Sequence, residues 1–151
     1  MAAESIGPAE RHHGDTDSEV SLDLDSILPA AARAMVRTLL ADRVGIAVED
    51  AVQVTDELVS NAYRHGLSPR VCRLSLHHAG RRFRVEVDDA VPTDPAPRSP
   101  APDGGRGLLL VARLASGWGV YRHADHKTVW AEITLDTPAS AGHAANLSAV
   151  A

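Results

Sequence analysis

Between Val48 and Val87 the spacing of apolar residues changes once, at Gly66, and that change restricts the folds open to this chain. Before it, Val48, Ala51, Val52, Thr55, Leu58, Val59 and Ala62 recur with the 3.6-residue period of a helix and cover one wide arc. After it, Cys72, Leu74 and Leu76, then Phe83, Val85 and Val87, alternate with other residues at the two-residue period of half-buried strands. The stretch "HHAGRR" is short enough to join those strands as a hairpin. A helix with one apolar arc and a hairpin with one apolar face bury their surfaces most simply against each other. The pattern therefore predicts two layers, one of helix and one of antiparallel sheet.

The flanking segments extend this arrangement. "VSLDLD" alternates Val20, Leu22 and Leu24 and reads as a strand. "PAAARAMVRTLLADR" reads as a helix with Pro29 in its first turn, where a missing N–H costs little. The next helix covers about Val48 to His65 and stops at Gly66. "GLLLVARLAS" is a third helix, and "WGVYRH" and "KTVWAEITL" form a closing antiparallel pair. The expected fold is α+β: a two-layer sandwich of a mixed, mostly antiparallel sheet with helices on one face. Five prolines between Val91 and Asp103 exclude regular structure there, and predict a lid-like loop at about 90–105. Residues 1–18 and 137–151 lack periodicity and read as a disordered lead-in and a flexible tail around a domain of 19–136.

Composition narrows the functional classes. The 151 residues fit one domain. A single cysteine, Cys72, excludes an internal disulfide and fits a reducing compartment. No apolar run approaches the ~20 residues of a membrane span, so a cytoplasmic protein with no membrane contact is expected. The balance of 15 basic and 20 acidic residues, net −5, weighs against direct binding of nucleic acid. Basic residues do gather in "RHGLSPRVCR" and "GRRFR", which leaves room for a local anion site.

Three places could carry chemistry. Asp50, Gln53, Glu57, Asn61 and Arg64 form a polar stripe opposite the apolar arc of the second helix, with Glu57 and Asn61 at i and i+4. Such a stripe is either a solvated face or a base beside a neutral oxygen ligand, suited to hydrated Mg²⁺ and an activated hydroxyl. In "RVEVDDAVP", strand parity puts Asp89 on the core side with Phe83, Val85 and Val87, and Asp88 on the other side. An inward carboxylate at a strand end needs a donor, from loop N–H groups or from a ligand's amino group. "GGRGL" opens the third helix, and is either a turn or a phosphate cradle at a helix N-terminus. Lys127 reads as a solvated turn residue within reach of phosphate.

Taken together these segments resemble the GHKL ATPase superfamily. "DELVSNAYRHG" resembles its N-box, "VEVDDAVP" the strand bearing the adenine-recognising aspartate, "GGRGLLLV" the second glycine box, and "KTVWAEI" the last motif. In detail they are similar to the anti-sigma-factor and serine-protein-kinase branch, a histidine-kinase-like ATP-binding domain of actinobacterial type. The resemblance implies ATP and Mg²⁺, with Asn61 as metal ligand and Glu57 as general base. It implies Asp89 at the adenine amino group with Thr128 in support, Gly105 and Gly107 at the phosphates, Arg106 either adding charge there or facing solvent, and Leu108 also in the nucleotide site. "DAVPT" departs from the pattern, because the glycines of the first box (Asp-x-Gly-x-Gly) are missing. Two functions follow as expectations. One is an anti-sigma-factor-like regulator that phosphorylates an anti-sigma-factor antagonist as a serine/threonine protein kinase. The other is a nucleotide-dependent module that sequesters a sigma factor without significant kinase activity. Homodimerisation is also implied.

Overall fold

Burial follows the two periods written in the sequence. The computed structural model describes residues 16–90 and 104–135. In chain order these form β1 (Thr16–Asp23), α1 (Pro29–Leu39), α2 (Ile46–His65), β2 (Leu67–His77), β3 (Arg82–Ala90), α3 (Gly104–Leu114), β4 (Gly117–Arg122) and β5 (His126–Thr134). The order of elements is the expected one. The proline-rich segment read as a lid falls at residues 91–103, outside the described residues, as do the N-terminal 15 residues and the tail from 136 onward.

The strands form one sheet in the order β1-β2-β3-β5-β4. All four pairings are antiparallel, so the parallel component of a mixed sheet is not found among the described residues. β5 enters between β3 and β4, and this places the end of β3 beside the start of β5. β1 begins at Thr16, so Thr16–Ser18, expected to be part of the lead-in, already pair with β2.

Helix α2 is the centre of the helical layer and packs against α1, α3, β2, β3 and β5. It buries Val48, Ala51, Val52, Thr55, Leu58, Val59 and Ala62, the arc read from the sequence, together with Val54. From the sheet come Cys72, Leu74 and Leu76, Phe83, Val85 and Val87, and Val129, Ala131 and Ile133. Phe83, the one phenylalanine, is fully buried among Val, Leu and Ala side chains. Each full burial of such a side chain is worth roughly 1.5–3 kcal/mol.

Helix boundaries differ by a few residues from the expected ones, for local reasons. α1 ends at Leu39 because Ala41 N–H donates to Thr38 and Arg43 N–H to Leu40, three-residue bonds that tighten the chain out of the helix. Gly45 then takes φ 113°, a conformation L side chains rarely adopt, and α2 starts directly after it at Ile46.

The face of the sheet opposite the core carries charge. Arg73 makes two bonds to Asp88 (2.7 and 2.9 Å), and Arg84 bonds Glu132 at 2.8 Å. The Arg84 guanidinium also lies 4.4 Å from the centre of the Trp130 ring, which stacks with Tyr121. Trp130 can lie flat there because its neighbour is Gly119, where a Cβ would meet the indole Nε1 at 2.9 Å. Trp130 is thus part of the sheet's packing. No helix among the described residues is long and apolar enough to cross a membrane.

Burial pushes the Cys72 thiol up to about 12, so its reactive thiolate is scarce at neutral pH. Labelling by a thiol reagent at pH 8 is therefore expected only through opening of the core, and to accelerate on adding denaturant. Phe83→Ala should lower stability by about 3–5 kcal/mol in urea titrations and speed that labelling in step.

Candidate functional site

Helix α2 and strand β3 meet at Gly66. The Gly66 N–H caps the helix on the Ala62 carbonyl at 2.9 Å. A Cβ at Gly66 would lie 2.6 Å from both Cβ and Cγ of Asp89. Gly66 has φ −91°, which any residue adopts, so the glycine is required by this close approach and not by a left-handed helix end. The end of α2 therefore sits directly on the carboxylate-bearing side chain of β3.

Arg70 fixes that junction. Its Nε donates to the Ala62 carbonyl at 3.0 Å and its Nη2 to the Gly66 carbonyl at 2.9 Å, satisfying helix-end acceptors. Its Nη1 donates to Asp25 Oδ1 at 2.9 Å, and the Asp25 carboxylate also accepts the Arg70 N–H. Nearby, the Tyr63 hydroxyl lies 2.5 Å from the Leu24 carbonyl and 2.8 Å from that of Ile27, sharing one hydrogen between them. Arg70 belongs to a cluster considered for anion binding. Here it is committed to α2 and Asp25, just as Arg73 is committed to Asp88.

Asp89 is 3% exposed and faces the helical layer, as strand parity predicts. Its partner across the β3–β5 ladder is Lys127. The Lys127 Nζ lies 3.7 Å from Asp89 Oδ2, and its side chain is only 13% exposed. Lys127 is thus a half-buried strand residue, not a solvated turn lysine. Thr128 points the other way. Its hydroxyl donates to Asp88 Oδ1 at 2.6 Å and lies 3.2 Å from His123 Nε2, on the sheet face opposite Asp89. Thr128, which the resemblance puts in support of Asp89, bonds Asp88 here, and its strand neighbour Lys127 stands beside Asp89. The signal was available, because Val129, Ala131 and Ile133 face inward and parity carries Lys127 inward with them.

Glu57 and Asn61 lie half-buried one turn apart on α2. The acidic residue before Glu57 has a separate role: Asp56 accepts from Arg33 Nη1 at 2.6 Å. Among the described residues the Glu57 and Asn61 side chains make no hydrogen bond or ion pair. His65, one further turn along, has a buried Nε2 without a hydrogen-bond partner among the described residues. Helix α3 packs against α2 and begins at Gly104, so Gly105 and Gly107 fall in its first turn, where backbone N–H groups lack intrahelical acceptors. Gly104, expected to hinge the loop, is itself the first helical residue. The Arg106 side chain lies outside the described residues. Leu108 is partly buried and packs against the core.

A five-stranded antiparallel sheet with three helices on one face is the GHKL type of ATPase fold. A sequence model of the histidine kinase-like ATPase domain matches residues 20–133, and the chain belongs to this family. Among solved structures, it is similar to the RsbU and RsbW domains of Rv1364c from Mycobacterium tuberculosis. That match has a TM-score of 0.59 and 22% identity, and covers 81% of this chain and 34% of that one. It is also similar to the histidine kinase domain of a blue-light activated histidine kinase from Erythrobacter litoralis, with TM-score 0.45 and 19% identity over 76% of this chain and 62% of the other. The chain thus spans about a third and about three-fifths of these two structures. No curated protein matches it.

Two outcomes test the geometry. Gly66→Ala must displace Asp89 or the end of α2, and is expected to lose about 1–3 kcal/mol in urea unfolding. Burial tends to raise the Asp88 carboxyl, but hydrogen bonds from Arg73 and Thr128 outweigh it and hold the group below its ordinary 3.8. A depressed carboxylate stabilises the fold above its unfolded value and loses that contribution as pH falls through the folded value. The stability difference between the wild type and Asp88→Asn should therefore be full at pH 6 and shrink below about pH 4.

Proposed function

We propose that this chain binds Mg-ATP at the junction of α2, β3 and α3 and transfers the terminal phosphoryl group to a serine or threonine of an anti-sigma-factor antagonist. The observation that carries the reading is the seat of Asp89. It is a buried carboxylate against which the helix end leaves room only for glycine, so its position relative to Asn61 and Glu57 is fixed by packing. Asp89 would accept from the adenine amino group. The first-turn N–H groups of α3, at Gly105 and Gly107, would face the phosphates.

The donor set suits the metal. Asn61 offers a neutral amide oxygen of the kind Mg²⁺ accepts alongside water and phosphate oxygens. When bound, Mg²⁺ neutralises charge developing on the phosphates. Glu57, one turn back on the same helix, would accept the proton of the substrate hydroxyl, leaving its oxygen free to attack. Asp56 is excluded from that role by its bond to Arg33. Family membership over residues 20–133 supports the nucleotide. The protein substrate rests on the resemblance to the anti-sigma-factor branch.

A specific feature favours a second reading. "DAVPT" lacks the glycines that follow the aspartate in the first box, and the next segment holds five prolines. Proline restricts the conformations a closing loop can adopt. On this reading the chain binds nucleotide and sequesters a sigma factor without phosphoryl transfer.

Labelled ATP and the antagonist that co-purifies with the chain separate the two. Transfer of label that falls about 10²–10⁴-fold in Glu57→Ala, with ATP affinity retained, supports the kinase. Tight ATP binding without transfer to any co-purifying protein supports the binding module. Affinity for Mg-ATP left unchanged by Asn61→Ala and Asp89→Ala would show the site to be elsewhere.

A further inference from the structure

Lys127 is the one lysine in the chain, and every other basic side chain of fixed charge is arginine. Lysine is rarely buried, yet this one is 13% exposed and stands beside an aspartate that is 4% exposed at its side chain. The two residues face each other across the β3–β5 ladder and point to the same side as Val87 and Val129. At 3.7 Å from Oδ2, Nζ lies beyond hydrogen-bond length from that oxygen. A buried pair at this spacing is weak evidence for a stabilising role. An ammonium has three donors to place, and Asp89 does not use them all.

What the pair presents is an acceptor and a donor side by side. An adenine edge presents the complement: an amino group that donates, next to a ring nitrogen that accepts. We infer that Lys127 is a base-specificity residue, its Nζ donating to the adenine ring nitrogen N1 beside the amino group taken by Asp89. The inference rests on the nucleotide-binding reading and adds to it a contact that the family resemblance gave to Thr128. Guanine carries an oxygen where adenine carries the amino group, which sets acceptor against carboxylate. The pair therefore selects adenine by attraction at one atom and by repulsion at its neighbour.

Equilibrium binding of ATP, 1-deaza-ATP and ITP to the full chain tests this without reference to turnover. The wild type is expected to bind ATP about tenfold to a hundredfold more tightly than 1-deaza-ATP, the range for a hydrogen bond to a charged group. In Lys127→Met, similar in length and without a donor, that ratio should fall to within about twofold, whereas Lys127→Arg should retain most of it. Thermal unfolding of each variant establishes that it is folded. Equal affinity of the wild type for ATP and 1-deaza-ATP overturns the inference, and this arm needs no variant. So does an unchanged ratio in folded Lys127→Met, or tighter binding of ITP than of ATP. Failure of the wild type to bind any purine nucleotide would instead overturn the nucleotide reading, and this contact with it.

Discussion

The contact between Gly66 and Asp89 is the constraint on which the site depends. Backbone at the end of α2 approaches β3 so closely that no side chain fits between them. Arg70 maintains the approach by bonding the carbonyls of Ala62 and Gly66 and tying them through Asp25 to the segment before α1. Asn61 and Glu57 stand about one and two turns before that anchored end. Their positions relative to Asp89 therefore follow from the rigidity of a single helix rather than from any bond they make themselves. Residues that carry no local structural duty can be given over to a ligand only where the scaffold around them is held in this way.

Much of this was legible from periodicity. The buried arc of α2, the inward faces of β2 and β3, and the separation of Asp89 from Asp88 are all consequences of 3.6- and 2-residue repeats. The fold class followed because those repeats leave few ways to bury both surfaces. The less legible features are contacts between segments distant in sequence. Nothing local to Arg70 announces that it closes a helix end, and a lysine after "DH" looks like part of a turn until β5 is paired with β3. Gly66 was placed correctly as a helix terminus, but its reason lies in Asp89, on another element. Strand parity along β5 turns Thr128 toward Asp88 and Lys127 toward Asp89.

The neighbours Asp88 and Asp89 show how one pleat divides labour. Asp88 is held by Arg73 and Thr128 within the charged face of the sheet, while one residue later Asp89 enters the apolar layer beside α2. The same backbone thus supplies an ion-paired carboxylate on one side and a buried carboxylate beside Lys127 on the other. Arginine suits the first face because its planar fork can take two carboxylate oxygens at once, as Arg73 does. A single compact ammonium suits the second.

The bond from Arg70 to Ala62 spans only eight residues, which bears on the order in which the molecule assembles. Closing so short a loop costs little chain entropy. The end of α2 and the start of β2 can therefore associate early, with the adjoining hairpin bringing Asp89 into place by contacts nearly as local. Lys127 arrives from much further along the chain, after α3 and β4. The Asp89 carboxylate is thus set by contacts close in sequence, and the Lys127 ammonium beside it by a pairing between distant strands.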